Sequence, residues 1–212
     1  MQNEYGEEIR RLFVPGADPG RYHIPRNNLI VYNARKGVSQ LRFQAHSSSA
    51  PYRDESTMVI HIDGACRGNG TRNARAAYGI YFGPNSPYNT WGLVPAHMPQ
   101  TSTRAEIEAL AHALPVLQSI CSHDLQLSDI KIATDSAFLV RAMSEWMEGW
   151  IANNGITANG RRVAHFERLW DLHDTLDEME YGDDGGIVVS FWYVGRERNR
   201  AADALANAAL DE

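Results

Sequence analysis

Asp63, Glu106, Asp135 and Asp203 are the residues of this sequence whose types and surroundings point to chemistry. Asp63 ends the β-branched, alternating run Val59-Ile60-His61-Ile62, and Gly64, Gly68 and Gly70 follow at once, allowing a tight turn and the close approach of a ligand. Asp135 ends a second apolar run, Ile130 to Thr134; Glu106 falls in the first turns of a helical pattern; Asp203 stands alone in an otherwise neutral, Ala-rich helix. Taken singly each has an ordinary reading: Asp135 caps its helix, Glu106 favours the helix dipole, and Asp203 is an exposed charge. In one shared site they would repel and raise one another's pKa unless they held cations. Oxygen-only ligation selects hard ions, magnesium or manganese, over zinc. Two such ions can activate water on one side of a phosphodiester and stabilise the leaving oxygen on the other.

The elements that must position these acids follow from periodicity. The run to Asp63 reads as a strand, with Ile60 and Ile62 on one face and His61 and Asp63 on the other. Ala77 to Gly83 and Thr90 to Val94 read as two more strands, separated by Pro84, Asn85, Ser86 and Pro87, so that an antiparallel meander is expected. From Thr101 the period becomes helical, with Ile107, Leu110, Ala111, Leu114 and Leu117 on one face and Thr101 or Ser102 as N-cap. A helix carrying Phe138, Leu139, Met143, Trp146 and Trp150 follows Asp135, breaks at Asn153-Asn154-Gly155 and Asn159-Gly160, and resumes from Arg162 to Met179. Ile187 to Val194, between GDDGG and Gly195, is the last strand, and Asn199 to Leu210 the last helix. Three sequential strands and then strands linked by helices imply an α/β fold with a mixed sheet, which binds ligands beyond the carboxyl ends of its parallel strands.

Residues 1–55 differ in character, being rich in Gly, Pro, Asn and Arg. Leu29 to Tyr32 and Leu41 to Phe43 form a candidate strand pair around Arg35-Lys36-Gly37, and His46 to Ser56 reads as a linker. The stretch is expected to be an extension packed on the domain of residues 56–212. With 212 residues, 43% of them hydrophobic, the chain can bury one good core. Its two cysteines, Cys66 and Cys121, make no zinc-ligand spacing and no disulfide framework. No run reaches bilayer-spanning length and the start is acidic, so an intracellular protein, nuclear or cytoplasmic and not secreted, is expected, with no membrane partner and a monomeric state. A net charge of -6 argues against indiscriminate binding of nucleic acid, although metals in an acidic site would reverse the field a phosphate meets.

In their wider setting the four acids gain specificity. The stretch from Met58 to Leu210 resembles the ribonuclease H family, type I: IDGACRGNG is similar to its first-strand signature, TSTRAEIEAL to its first-helix motif, ATDSAFLV to its fourth-strand motif and NRAADALA to its last-helix motif, while WMEGW with NNG and RRV is similar to its substrate handle. The resemblance implies a mixed five-stranded sheet of order 3-2-1-4-5 with strand 2 antiparallel. It implies that Asp63, Glu106, Asp135 and Asp203 hold two magnesium ions, with manganese as substitute, and that the substrate is an RNA/DNA hybrid whose RNA strand is cut. Backbone near Gly64 and Cys66, with the Asn69 side chain, would then touch 2′-hydroxyls, and Thr103 would stand at a 2′-OH-reading position with Thr101 and Ser102 beside it. Phe138, Trp146 and Trp150 match aromatic positions associated with the DNA strand, although Trp150 also reads as core.

Two departures from the family pattern stand out. The handle is weakly basic, with Arg161 and Arg162 set against Glu148. The segment between last strand and last helix, VGRERN, is short and lacks the family's histidine; it offers Arg196, Glu197 and Arg198 instead, and neither His61 nor His165 is an obvious replacement. Of the three, Glu197 can serve as an oxygen ligand and the arginines as phosphate contacts. Competing functions are a nuclease that also cuts double-stranded RNA, and a weakly catalytic module that grips nucleic acid for a larger assembly.

Overall fold

The computed structural model describes residues 9–183 and 186–212; the acidic start of the chain and part of the GDDGG turn lie outside the described residues. In chain order the strands and helices are β1 (Ile30–Asn33), β2 (Val38–Phe43), β3 (Tyr52–Arg53), β4 (Thr57–Arg67), β5 (Arg75–Tyr81), β6 (Thr90–Leu93), α1 (Ser102–His123), β7 (Asp129–Thr134), α2 (Ala137–Arg141), α3 (Met147–Ala152), α4 (Phe166–Tyr181), β8 (Val188–Tyr193) and α5 (Arg196–Asp211).

The five strands expected from the sequence are β6-β5-β4-β7-β8, in the order 3-2-1-4-5. β4 and β5 run antiparallel, with Asp63 opposite Gly79, whereas β4, β7 and β8 run parallel. The sheet is larger than expected, with eight strands. β1 and β2 form the hairpin around Gly37, whose φ of 71° suits a residue without Cβ. β2 then takes the part of the β4 edge that β5 leaves open, pairing Ser39 with Val59. The stretch read as a linker carries β3, which pairs with the end of β2.

One face of the sheet is covered by α1, α4 and the helices between them. Ile60, Ile62, Ile130 and Ile132 pack there on Ile107, Leu110, Leu114 and Leu169 in one continuous core. The other face is divided. α5 covers β5 closely because Gly79 faces the helix backbone: a Cβ there would lie 2.4 Å from Ala202 O and 2.5 Å from Ala206 N. The rest is covered by the N-terminal arm in a second core of Phe13, Ile24, Leu29, Leu41, Val59, Ala133, Trp192 and Val194. The arm also closes the free edge of β8: Phe13 N donates to Phe191 O at 2.9 Å and Phe191 N to Arg11 O at 2.6 Å. These contacts are long-range and involve short apolar runs, so periodicity did not announce them.

Two helix boundaries and one helix interior differ from the sequence reading. α4 begins at Phe166 rather than Arg162, because Ile156 and Arg162 form a β-bridge and His165 turns the chain with φ 61°. α5 begins at Arg196, so Arg196, Glu197 and Arg198 form its first turn rather than a loop. The helix after Asp135 contains a π turn, Ala142–Trp146, between α2 and α3. Among the described residues no helix is long and apolar enough to cross a membrane.

Candidate active site

The four acids are brought together by close approaches of backbone. β4 delivers Asp63, and a Cβ on the adjoining Gly64 would lie 2.3 Å from Glu106 N and 2.5 Å from Ala105 C, so the first turns of α1 lie directly on the strand's end. Gly79, opposite Asp63 in the sheet, brings α5 equally close and with it Asp203. β7 ends beside β4 and presents Asp135. Asp63 is buried, Glu106 and Asp135 are half-buried, and Asp203 is exposed.

Two residues to which the sequence assigned no role hold this arrangement. Asn199, buried, donates its Nδ2 to Ile62 O at 3.0 Å and to Asp135 Oδ1 at 2.9 Å, joining α5 to both strand ends. Ser136 caps α2, accepting from Leu139 N at 3.2 Å, and its hydroxyl donates to Glu106 Oε2. Asn199 lies within the NRAADALA motif, so the signal was its place one turn before Asp203 on the same helix. We expect Asn199→Ala to lower unfolding free energy by about 2 kcal/mol, because Ile62 O and Asp135 both lose a buried donor. Denaturant titration checks this, and an unchanged midpoint would refute it.

The site carries uncompensated negative charge. Burial, then the charge of Asp135, with further contributions from Asp203 and Glu106, push the Asp63 carboxyl up from 3.8 to about 7, although the Gly64 N–H donated at 2.8 Å pulls the other way. Burial pushes Glu106 up as well; the Ser136 bond and Arg196 oppose this, and Asp135 reinforces it. The cation at hand is Arg196, with Nε 3.4 Å from Asp135 Oδ2 and its side chain 94% exposed. In the positions seen, Glu106 accepts from Ser136, Asp135 from Asn199, and Asp203 from Asn207 at 3.0 Å. Among the described residues no three acidic, His or Cys side chains surround a common point. Donor type and unbalanced charge thus fit a hard divalent cation, while the side-chain orientations form no ready-made cage.

A pH dependence of stability follows. The folded state keeps the Asp63 proton up to about pH 7, whereas the unfolded chain releases it near 3.8, so folding takes up a proton between these values. The metal-free protein should therefore lose stability as pH rises through that window. Asp63→Asn does not titrate, and we expect it to match wild type near pH 4 and exceed it by on the order of 2–4 kcal/mol at pH 8. Melting in EDTA at both pH values tests this; an equal gain at both would show that charge relief is not the cause.

The expected substrate contacts fall into three places. Gly64, Cys66 and Asn69 lie on the end of β4 and its turn, where Cys66 Sγ lies 3.9 Å from Asn69 Oδ1 and donates to Gln100 O at 3.4 Å, bringing the turn beside Thr101, Ser102 and Thr103 at the start of α1. Thr101 is the N-cap, accepting from Arg104 N at 3.1 Å. Phe138, Trp146 and Trp150 form one aromatic cluster, with centroids 5.4 to 6.5 Å apart, and Arg141 lies 4.5 Å over the Trp146 ring. Trp150 is half-buried against the core, as its second reading had it. Arg161 and Arg162 lie exposed on the loop before α4. Arg162 pairs with Glu167, and Glu148 pairs with Arg10 at 2.5 Å. In the first turn of α5, only Arg196 reaches the acids; the Glu197 carboxylate folds over Gly195, 3.8 Å from Arg198. His61 is buried in β4, pushed down to about 4 by burial, and His165 starts α4, so neither stands in for the absent histidine.

Comparison with known proteins points to one family. The RNase H family model matches residues 55–211. Ribonuclease H1 of Rattus norvegicus is 33% identical over 155 residues, covering 73% of this chain and 50% of that protein, so the chain spans about half the length of this relative. Ribonuclease H of Clostridium botulinum is 32% identical over 158 residues, covering 73% of this chain and 96% of that protein. LC11-RNase H1 in complex with RNA/DNA hybrid shares the fold at a TM-score of 0.51 and 21% identity, over 72% of this chain and 96% of that one.

Proposed function

Because the chain belongs to the RNase H family, type I, we propose that it is a divalent-metal-dependent endonuclease that hydrolyses the RNA strand of RNA/DNA hybrids. The observation that carries this reading is the gathering of carboxylates around Asp63, which is buried at the end of β4 and pushed up to about 7 by burial and by Asp135, Asp203 and Glu106, while the exposed Arg196 pairs with Asp135. That LC11-RNase H1 has been seen with an RNA/DNA hybrid supports the choice of substrate.

Asp63, Glu106, Asp135 and Asp203 would hold two magnesium ions, which supply an activated water and stabilise the leaving oxygen of the phosphodiester. The chain's own residues do the positioning. Asn199 keeps Asp135 aimed outward from the β7 end, and Ser136 orients Glu106. Gly64 lets α1 close on the end of β4, and its backbone, with Asn69, Thr101 and Thr103, would meet the 2′-hydroxyls of the RNA strand. The aromatic cluster supplies the surface for the DNA strand. Arg196, paired with Asp135 and free to swing out, would meet the scissile strand's phosphate and assist its release. The two cysteines, both unpaired, suit a reducing intracellular setting.

The test is cleavage of labelled hybrid, double-stranded RNA and double-stranded DNA in magnesium, manganese or EDTA. Cutting of the RNA strand of the hybrid in either metal and in neither EDTA control is the expected result. Equal cutting of double-stranded RNA would broaden the substrate, and the absence of cutting with any metal would overturn the enzymatic reading.

A further inference from the structure

The N-terminal arm precedes the part of the chain that the family model matches, yet it grips the helix that carries the aromatic cluster. Arg10 donates Nη1 to Glu148 on α3 at 2.5 Å and Nη2 to Asp177 on α4 at 2.8 Å. Beside it Arg11, buried and held at φ 57°, donates to Asp177 at 2.5 Å and Glu180 at 2.9 Å and meets His173 Nδ1 at 3.0 Å. Burial and Arg11 keep His173 below the usual histidine range despite Asp177 and Glu148, which suits a neutral ring accepting from Arg11. The arm therefore ties α3 to α4 through a buried anchor, Arg11, and a half-exposed strut, Arg10 to Glu148.

That strut bears on a helix whose register is unusual. At about 100° per residue, eight residues of regular α-helix would leave Trp146 about 80° away from Phe138 around the axis. The π turn Ala142–Trp146 accommodates one extra residue, which takes back about 100° and swings Trp146 and Trp150 onto the face of Phe138. Arg10, Arg11 and His173 line a small gap with Met143, Met147 and Glu148 beside this turn.

We propose that Arg10 and Glu148 are positioning residues for substrate binding: the arm braces α3 and so holds the aromatic face where a hybrid meets it. The inference rests on the proposed function, since it takes that face to be a hybrid-binding one. It makes an outcome specific to bracing. Removing the negative charge of Glu148 should favour a polyanion if charge alone mattered, whereas loss of the brace should weaken binding.

The experiment uses the full chain with Asp135→Asn, to prevent cutting, and a labelled RNA/DNA hybrid in magnesium, titrated at several salt concentrations. Arg10→Ala and Glu148→Gln should each raise Kd about threefold or more, and together no more than either alone, because both break one linkage. Arg10→Lys should stay near the parent, and the salt slope should not change. Tighter or unchanged binding by Glu148→Gln overturns the inference. So does a salt slope reduced by about 0.9 in Arg10→Ala alone, which would mark a direct phosphate contact. A parent protein that fails to bind hybrid removes the functional reading and this inference with it; a parent that binds, with variants that match it, removes the inference only.

Discussion

Asp135→Asn should reduce hydrolysis of a hybrid by about a thousandfold or more, through loss of charge at the reacting centre, while the protein stays folded and able to hold the hybrid. The substitution keeps an oxygen at the end of β7, so Asn199 Nδ2, 2.9 Å from Asp135 Oδ1, still has an acceptor. The new amide would face Arg196, but that side chain is 94% exposed and can turn into solvent. Repulsion on Asp63 and Glu106 falls, since Asp135 raises both. Single-turnover rates in magnesium, with circular dichroism and hybrid affinity measured alongside, decide the matter. A variant that cuts at the wild-type rate would remove Asp135 from the catalytic set.

Gly64→Ala should be the most damaging small substitution near the site, costing about 3 kcal/mol of stability and most of the activity. The added methyl would fall 2.3 Å from Glu106 N, 2.5 Å from Ala105 C and 2.7 Å from Ala105 Cβ, none of which is the end of a flexible side chain. Relief requires α1 to lift from β4, and α1 carries Glu106 and a large part of the main core. Gly149→Ala is the matched control: nothing lies within 4 Å of its Cβ position and it sits inside α3, where Ala is the better helix former by roughly 0.5–1 kcal/mol. Urea denaturation of both variants separates the cases. Equal midpoints would show that the close approach at Gly64 relaxes without cost.

What could be read in the sequence was what local chemistry announces. Asp63 and Asp135 each end a strand-like run, and Thr101 and Ser102 precede the helical pattern as candidate caps, so strand ends and cap were legible, whereas the sheet order came from the resemblance of the motifs to the family. The π turn was not legible, because an offset of about 80° between Phe138 and Trp146 already fits one broad helical stripe, so the spacing gave no sign of an extra residue. The start of α5 was hidden because Arg196, Glu197, Arg198 and Asn199 contain no apolar residue to mark a face. The pairing of Glu148 with Arg10 was hidden because the two lie 138 residues apart. Asn199 looked like any polar residue in a helix; its role comes from two acceptors on separate strands that only the fold brings together.

The clasp between Phe13 and Phe191 also bears on how the molecule comes to be folded. Leu12, near the beginning of the described chain, has its bridge partner on β8, the last strand. A contact between such distant points closes a very large loop, and its entropy must be lost before the contact returns any energy. The β4–β5 hairpin and its docking on α1 need only local closures, so they can form while the arm is still free. During synthesis the arm emerges before β8, so Phe13, Ile24 and Leu29 lack the cover of Trp192 and Val194 until that strand is made. The arm is thus among the last segments to dock although it precedes its partner strand in the chain, and its arrival completes the second core and the outer edge of the sheet together.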